Sequence, residues 1–146
     1  MPSFVKSTTQ YTTLEKRHDA DGKVWIQARA GGVLVALTPY KVIFDEYGYL
    51  TAAIADDTTR YYVGVPDAAA ASGDVVWLQI GGYVAGMVTG SLSMAAGHAI
   101  SVTNGALTDD GADYTGVGNQ FFVTLTATTS ATAQYGMLIP EMITGT

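Results

Sequence analysis

The sequence predicts an all-β protein, a compact β-barrel or β-sandwich of about 8–10 short strands with an extended N-terminal arm. Two observations carry that expectation. Short runs rich in β-branched and aromatic residues follow one another from Val24 onward, and Gly- or Asp-containing turn signals separate them. No helical periodicity persists beyond two turns.

The runs are 24–28, 33–37, 41–44, 49–54, 61–65, 75–80, 83–88, 98–102, 121–126 and 133–139. Turn signals stand at Gly31-Gly32, Tyr47-Gly48, Ser72-Gly73-Asp74, Gly81-Gly82, Asn104-Gly105 and Asp110-Gly111. Segments 75–80 and 83–88 are almost continuously apolar, which predicts burial on both faces and a central place in the sheet. Gly81-Gly82 between them reads as a tight hairpin turn. Thr124, Thr126, Thr128 and Thr129 alternate with Val123, Leu125 and Ala127, as in a strand with one wet face. Ala68–Ala71 and Leu92–Ala96 could each hold one helical turn. Trp25, Trp77, Ile80, Phe122 and Leu125 lie within apolar runs and are the expected core.

Residues 1–20 differ from the rest. They combine a Thr-rich polar stretch with the charged cluster Glu15-Lys16-Arg17-His18-Asp19 and lack the spacing of a core element. They read as an arm ordered on contact with a neighbouring subunit, leaving 21–146 as a single β domain. A chain of 146 residues is long enough for one core without staples.

Composition narrows the function. Charged residues make up 14% of the chain, against about 25% in an average protein. All seven cations precede residue 61, and Tyr61–Thr146 carries six acidic residues and no Lys or Arg. Such a surface cannot neutralise phosphates, so neither nucleic acid nor an anionic membrane is an expected partner. With no cysteine, thiolate chemistry and Cys-ligated zinc are excluded. No apolar stretch reaches the length of a membrane span, and the start of the chain lacks the pattern of a secretory signal.

Residues suited to chemistry are scattered. His18 and His98 stand far apart, and no serine occupies a Gly-x-Ser-x-Gly turn. Most carboxylates fall in turns, where Asp bonds its own backbone. Asn104–Asp113 gathers three carboxylates but lacks the register of a calcium loop, so it reads as an acidic turn. No enzyme, cofactor or metal site is expected. Tyrosines bordering turns, Tyr47 and Tyr83 among them, are instead candidates for contact with other chains, together with Phe4, Val5, Tyr11, Lys16 and Arg17 of the arm.

The stretch from Ala70 through Ser72-Gly73-Asp74-Val75-Val76-Trp77 to Gly81-Gly82-Tyr83-Val84-Ala85-Gly86 resembles capsid decoration (cement) proteins of tailed bacteriophages. Met94-Ala95-Ala96-Gly97-His98-Ala99-Ile100-Ser101-Val102, the turn Asn104-Gly105-Ala106-Leu107, and Tyr62-Val63-Gly64-Val65-Pro66 are similar to further segments of that family. Trp77 departs from the basic or polar residue common at its place. The resemblance implies a non-enzymatic structural protein of the virion, made in the host cytoplasm and bound to the outer surface of the capsid. Its partner would be the major capsid protein, and it would cement neighbouring capsomers against internal DNA pressure, as a homo-oligomer and commonly a trimer. A carbohydrate-binding β module or phage adhesin or fibre component is the alternative, and a small β enzyme with unassigned carboxylates a third.

Overall fold

A computed structural model describes residues 14–116 and 118–145. The fold is all-β, as expected. Among the described residues ten strands form it: β1 (Arg17–His18), β2 (Val24–Arg29), β3 (Tyr40–Asp45), β4 (Gly48–Ala52), β5 (Tyr62–Gly64), β6 (Val75–Met94), β7 (His98–Thr103), β8 (Ala106–Asp113), β9 (Gln120–Thr124) and β10 (Thr128–Leu138). They hydrogen-bond in the order β5-β3-β4-β2-β6-β10-β9-β7-β8, an open path, with β1 added to β2. The sheet is mixed, because β2 meets β4 in parallel at Arg29 and Leu50 while the other strand pairs are antiparallel.

β6 sits at the centre, but the hairpin expected at Gly81-Gly82 is absent. One strand runs unbroken through both glycines. The cause is a change of partner: Val75–Gly81 pairs with β2, and Gly82–Met94 pairs with β10. Each half has a neighbour already, so neither folds back on the other. The glycines form a bulge instead. Gly82 adopts φ +89°, and a side chain there would meet the Gly22 carbonyl oxygen at 2.8 Å. Buried Gln79 fastens the bulge by donating from Nε2 to the carbonyls of Gly81 (3.0 Å) and Tyr83 (2.9 Å).

The core divides at the same point. Ile26, Leu34, Val42, Val76, Leu78 and Ile80 pack beside the first half of β6. Val84, Met87, Ile100, Phe121, Phe122, Leu138 and Ile143 pack beside the second. A strand that passes from one packed layer to another through a bulge is how sheets turn corners. Val75–Ile80 is buried on both faces, as its composition predicts, whereas Tyr83–Val88 alternates between exposed and buried. On the second face of the first half lie Trp25 and Trp77, both buried. Arg17 covers the Trp77 ring at 4.8 Å, and the Trp25 indole N–H donates to Asp19 at 2.9 Å. The described end of the expected arm is therefore fastened to the domain. Residues 1–13 lie outside the described residues.

Further expectations are corrected. Residues 33–37 are not a strand: Leu34 alone bridges to Ala70 and enters the core, Val33 and Val35 are exposed, and Leu37 takes φ +60°. No helical turn forms at 68–71 or 92–96. The supposed acidic turn at 104–113 is mostly β8. Its Asn104-Gly105 start is a two-residue hairpin turn with both φ positive (51° and 75°), and Gly111 sits within the strand.

Leu125 is the core residue that the structure overturns. It is 52% exposed, while Thr124 is fully buried. β9 ends at Thr124, whose single hydroxyl proton is shared between the carbonyls of Ala95 (2.9 Å) and His98 (3.1 Å). These bonds make threonine the inward residue and turn the next side chain out. Trp25, Trp77, Ile80 and Phe122 are buried.

Candidate functional site

On β10 the ordinary hydropathy pattern is reversed. Gln134, Gly136 and Leu138 point inward, and Tyr135 and Met137 point out. Gln134 is fully buried because its amide is satisfied. Nε2 donates to the carbonyls of Leu92 and Ala131 (both 3.3 Å), and Oε1 accepts from the Thr128 hydroxyl (2.9 Å). Gly136 is inward because nothing larger fits: a Cβ there would stand 2.1 Å from the Val123 carbonyl oxygen and under 3 Å from the Phe122 ring.

The outward residues continue across neighbouring strands. Met137 stands opposite Tyr83 on β6 and Val123 on β9, and the Leu125 N–H donates to the Tyr135 carbonyl at 2.9 Å. Tyr83, Val88, Leu125, Tyr135 and Met137 are all substantially exposed. None of these residues is charged. The result is a broad apolar face on the second half of the sheet, the kind of patch that marks contact with another macromolecule. Of its members, sequence reasoning singled out Tyr83. The missed signal was the pair Gln134 and Gly136, whose inward placement forces Tyr135 and Met137 outward.

The other proposed contact residues are elsewhere. Lys16 lies 5.0 Å over the Tyr62 ring, Arg17 covers Trp77, and half-buried Tyr47 receives Arg29 at 5.4 Å. Phe4, Val5 and Tyr11 fall outside the described residues. The described cations are all engaged: Lys23 pairs with Asp21 (3.8 Å), Arg29 with Asp45, and Lys41 with Asp57 (2.5 Å), while Arg60 donates to the Met142 carbonyl. Among the described residues, 14–60 therefore present ion pairs and cations laid against rings, not an open basic patch.

Hydrogen bonds hold two of these carboxylates below their ordinary pKa of 3.8. For Asp45 the main cause is the Tyr47 N–H, then Arg29. For Asp57 it is Lys41, then the Thr59 N–H. Their stabilisation is complete above the unfolded value and fades as pH falls through the lowered folded values. Melting temperature is expected to drop on acidification below about pH 4. Replacing both with Asn should flatten that drop, and an unchanged profile would show that these pairs do not couple folding to pH.

His98 Nδ1 lies 3.1 Å from Asp109, whose Oδ1 also accepts the Gly111 N–H at 2.8 Å. This joins β7 to the bulged part of β8. Among the described residues no three His, Cys, Asp or Glu side chains gather in a way that could hold a metal ion.

No protein-family description matches the chain, and neither does any curated protein. The fold does match a solved structure, that of the head fiber gp8.5 N base of bacteriophage phi29. The TM-score is 0.54 at 12% identity, over 83% of this chain and 98% of that one. The chain thus shares the fold of a head fibre base.

Proposed function

We propose that this protein is a structural component of a phage virion that binds the outer surface of the head and cements neighbouring capsomers there, as a trimer. The observation that carries this reading is the reversed pattern of β10. An apolar face built by turning Gln134 inward and Tyr135 and Met137 outward is costly to leave in water, and it suits a surface covered by other chains. The fold shared with a head fibre base supports the same class. Spreading contact over a wide face, multiplied by three subunits, gives firm attachment without one strong site. A second reading, the base of a fibre and not a cement, is favoured by the name of that structural relative.

Attachment is tested by co-sedimentation with purified heads. Tyr135→Ser combined with Met137→Ser is expected to reduce bound protein by about tenfold or more, equivalent to the loss of a central pair of contacts. Both side chains are already exposed, so the free fold should hold. Truncation should remove residues 1–13 and no more, because Arg17 and Asp19 cover Trp77 and Trp25. Undiminished binding of the double variant would overturn the assignment of this face. Sedimentation equilibrium of the free protein decides between trimer and monomer.

A further inference from the structure

At the opposite end of the sheet the strand path leaves a cleft. β5 pairs with β3 only as far as Tyr62 opposite Val42. The preceding residue, Tyr61, turns away to bridge Ile143, with both N–H···O bonds at 2.8 Å. The gap between the end of β3 and residues 57–61 has a volume of about 230 Å³ and is lined by Phe44, Tyr49, Asp57, Thr59, Arg60 and Met142. Pockets for drug-sized ligands run to about 300–1,000 Å³, so this one suits a single ring.

The lining combines three fixed features. Phe44 is 63% exposed, yet its ring is braced edge-on against Tyr49 at 5.6 Å. A bare aromatic ring on a strand is an apolar platform in search of a cover. The Asp57 carboxylate is held at both oxygens, by Lys41 at 2.5 Å and by the Thr59 N–H at 2.9 Å, and each oxygen keeps a further lone pair. Arg60 is steadied by the Met142 carbonyl through one nitrogen, leaving further N–H donors. Behind them Tyr61 is buried, and burial, then Asp57 and Asp56, push its hydroxyl up to about 12, so it stays protonated.

The charges decide the ligand class. Asp56 and Asp57 offset Lys41 and Arg60, so the cleft attracts neither an anion nor a cation strongly. What remains is an apolar ring flanked by a rigid acceptor and a rigid donor. We infer that this cleft is a subsite for one neutral pyranose ring. The C–H face of the sugar lies on Phe44, and adjacent hydroxyls donate to Asp57 and accept from Arg60. This inference stands apart from head attachment, because it concerns the other end of the sheet and the isolated protein.

The test is an amide NMR titration of the purified protein with the methyl glycosides of glucose, galactose, mannose and N-acetylglucosamine, and with glucuronic acid. At least one neutral glycoside is expected to bind with a Kd of about 1 mM, shifting the amides of Phe44, Thr59 and Arg60. Phe44→Ala should weaken it by about tenfold or more, with the melting temperature confirming that the variant is folded. Asp57→Asn should do likewise while leaving the Phe44 platform in place. Three results would overturn the inference: no saturable shift with any glycoside, shifts confined to other residues, or glucuronic acid binding more tightly than every neutral sugar. Head co-sedimentation of Phe44→Ala is expected to be unchanged, so the two readings fail separately.

Discussion

Gly136→Ala is expected to destabilise the free protein by about 3 kcal/mol or more, near the upper end for a single added methyl group. The reason is what the new carbon would strike. At 2.1 Å from the Val123 carbonyl oxygen and 2.8–2.9 Å from two Phe122 ring carbons, it cannot be accommodated by moving a flexible side-chain tip. Relief requires β9 and β10 to part at Gly136 and Thr124, where β10 is simultaneously held to β6 through Val84. Gly32→Ala is the matched control. Nothing lies within 4 Å of its added carbon and its φ is not positive, so a change within about 0.5 kcal/mol is expected. Urea midpoints of the two variants compare them directly. Equal midpoints would mean that β9 does not approach β10 this closely.

Trp77→Ala is expected to cost about 3–5 kcal/mol, the range for deleting a large buried aromatic side chain. Trp77 is 6% exposed on a segment of β6 covered on both faces, and Arg17 lies against its ring. Deleting the indole leaves a cavity beside Trp25 and strips Arg17 of its partner, which should also loosen the β1 pairing with β2. Leu125→Ala, at a residue that sequence pattern alone places inside, is expected to change stability by less than about 0.5 kcal/mol. A loss from Trp77→Ala as small as that from Leu125→Ala would contradict the two-faced burial of this strand.

The contrast between these two residues shows what the sequence makes legible. Val75–Ile80 reads as buried because an almost unbroken apolar run leaves little wet face, yet the same reasoning fails at Tyr83–Val88, where exposed and buried residues alternate. Asn104-Gly105 reads as a turn for an equally local reason, since both positions need left-handed backbone. Gly81-Gly82 misleads because glycine permits a bulge and a hairpin alike. The choice depends on β2 and β10, which come from distant parts of the chain.

The same holds for the candidate surfaces. The outward placement of Tyr135 and Met137 depends on the hydrogen bond that Gln134 makes to the Leu92 carbonyl, forty-two residues earlier in the chain. The cleft beside Phe44 depends on Tyr61 preferring Ile143 over an extension of β5. Periodicity carries no record of either partner. Composition did carry the broader point: a chain with so few charges, and none of its cations after Arg60, has little with which to keep its second half wet.

The twenty residues of β6 run through both packed regions and belong wholly to neither. The two halves share one continuous backbone through the Gly81-Gly82 bulge, although each has its own ladder, the first with β2 and the second with β10. Because that one strand is a member of both ladders, melting either half would free an end of the strand that the other half pairs with. The two halves are therefore expected to unfold in a single transition.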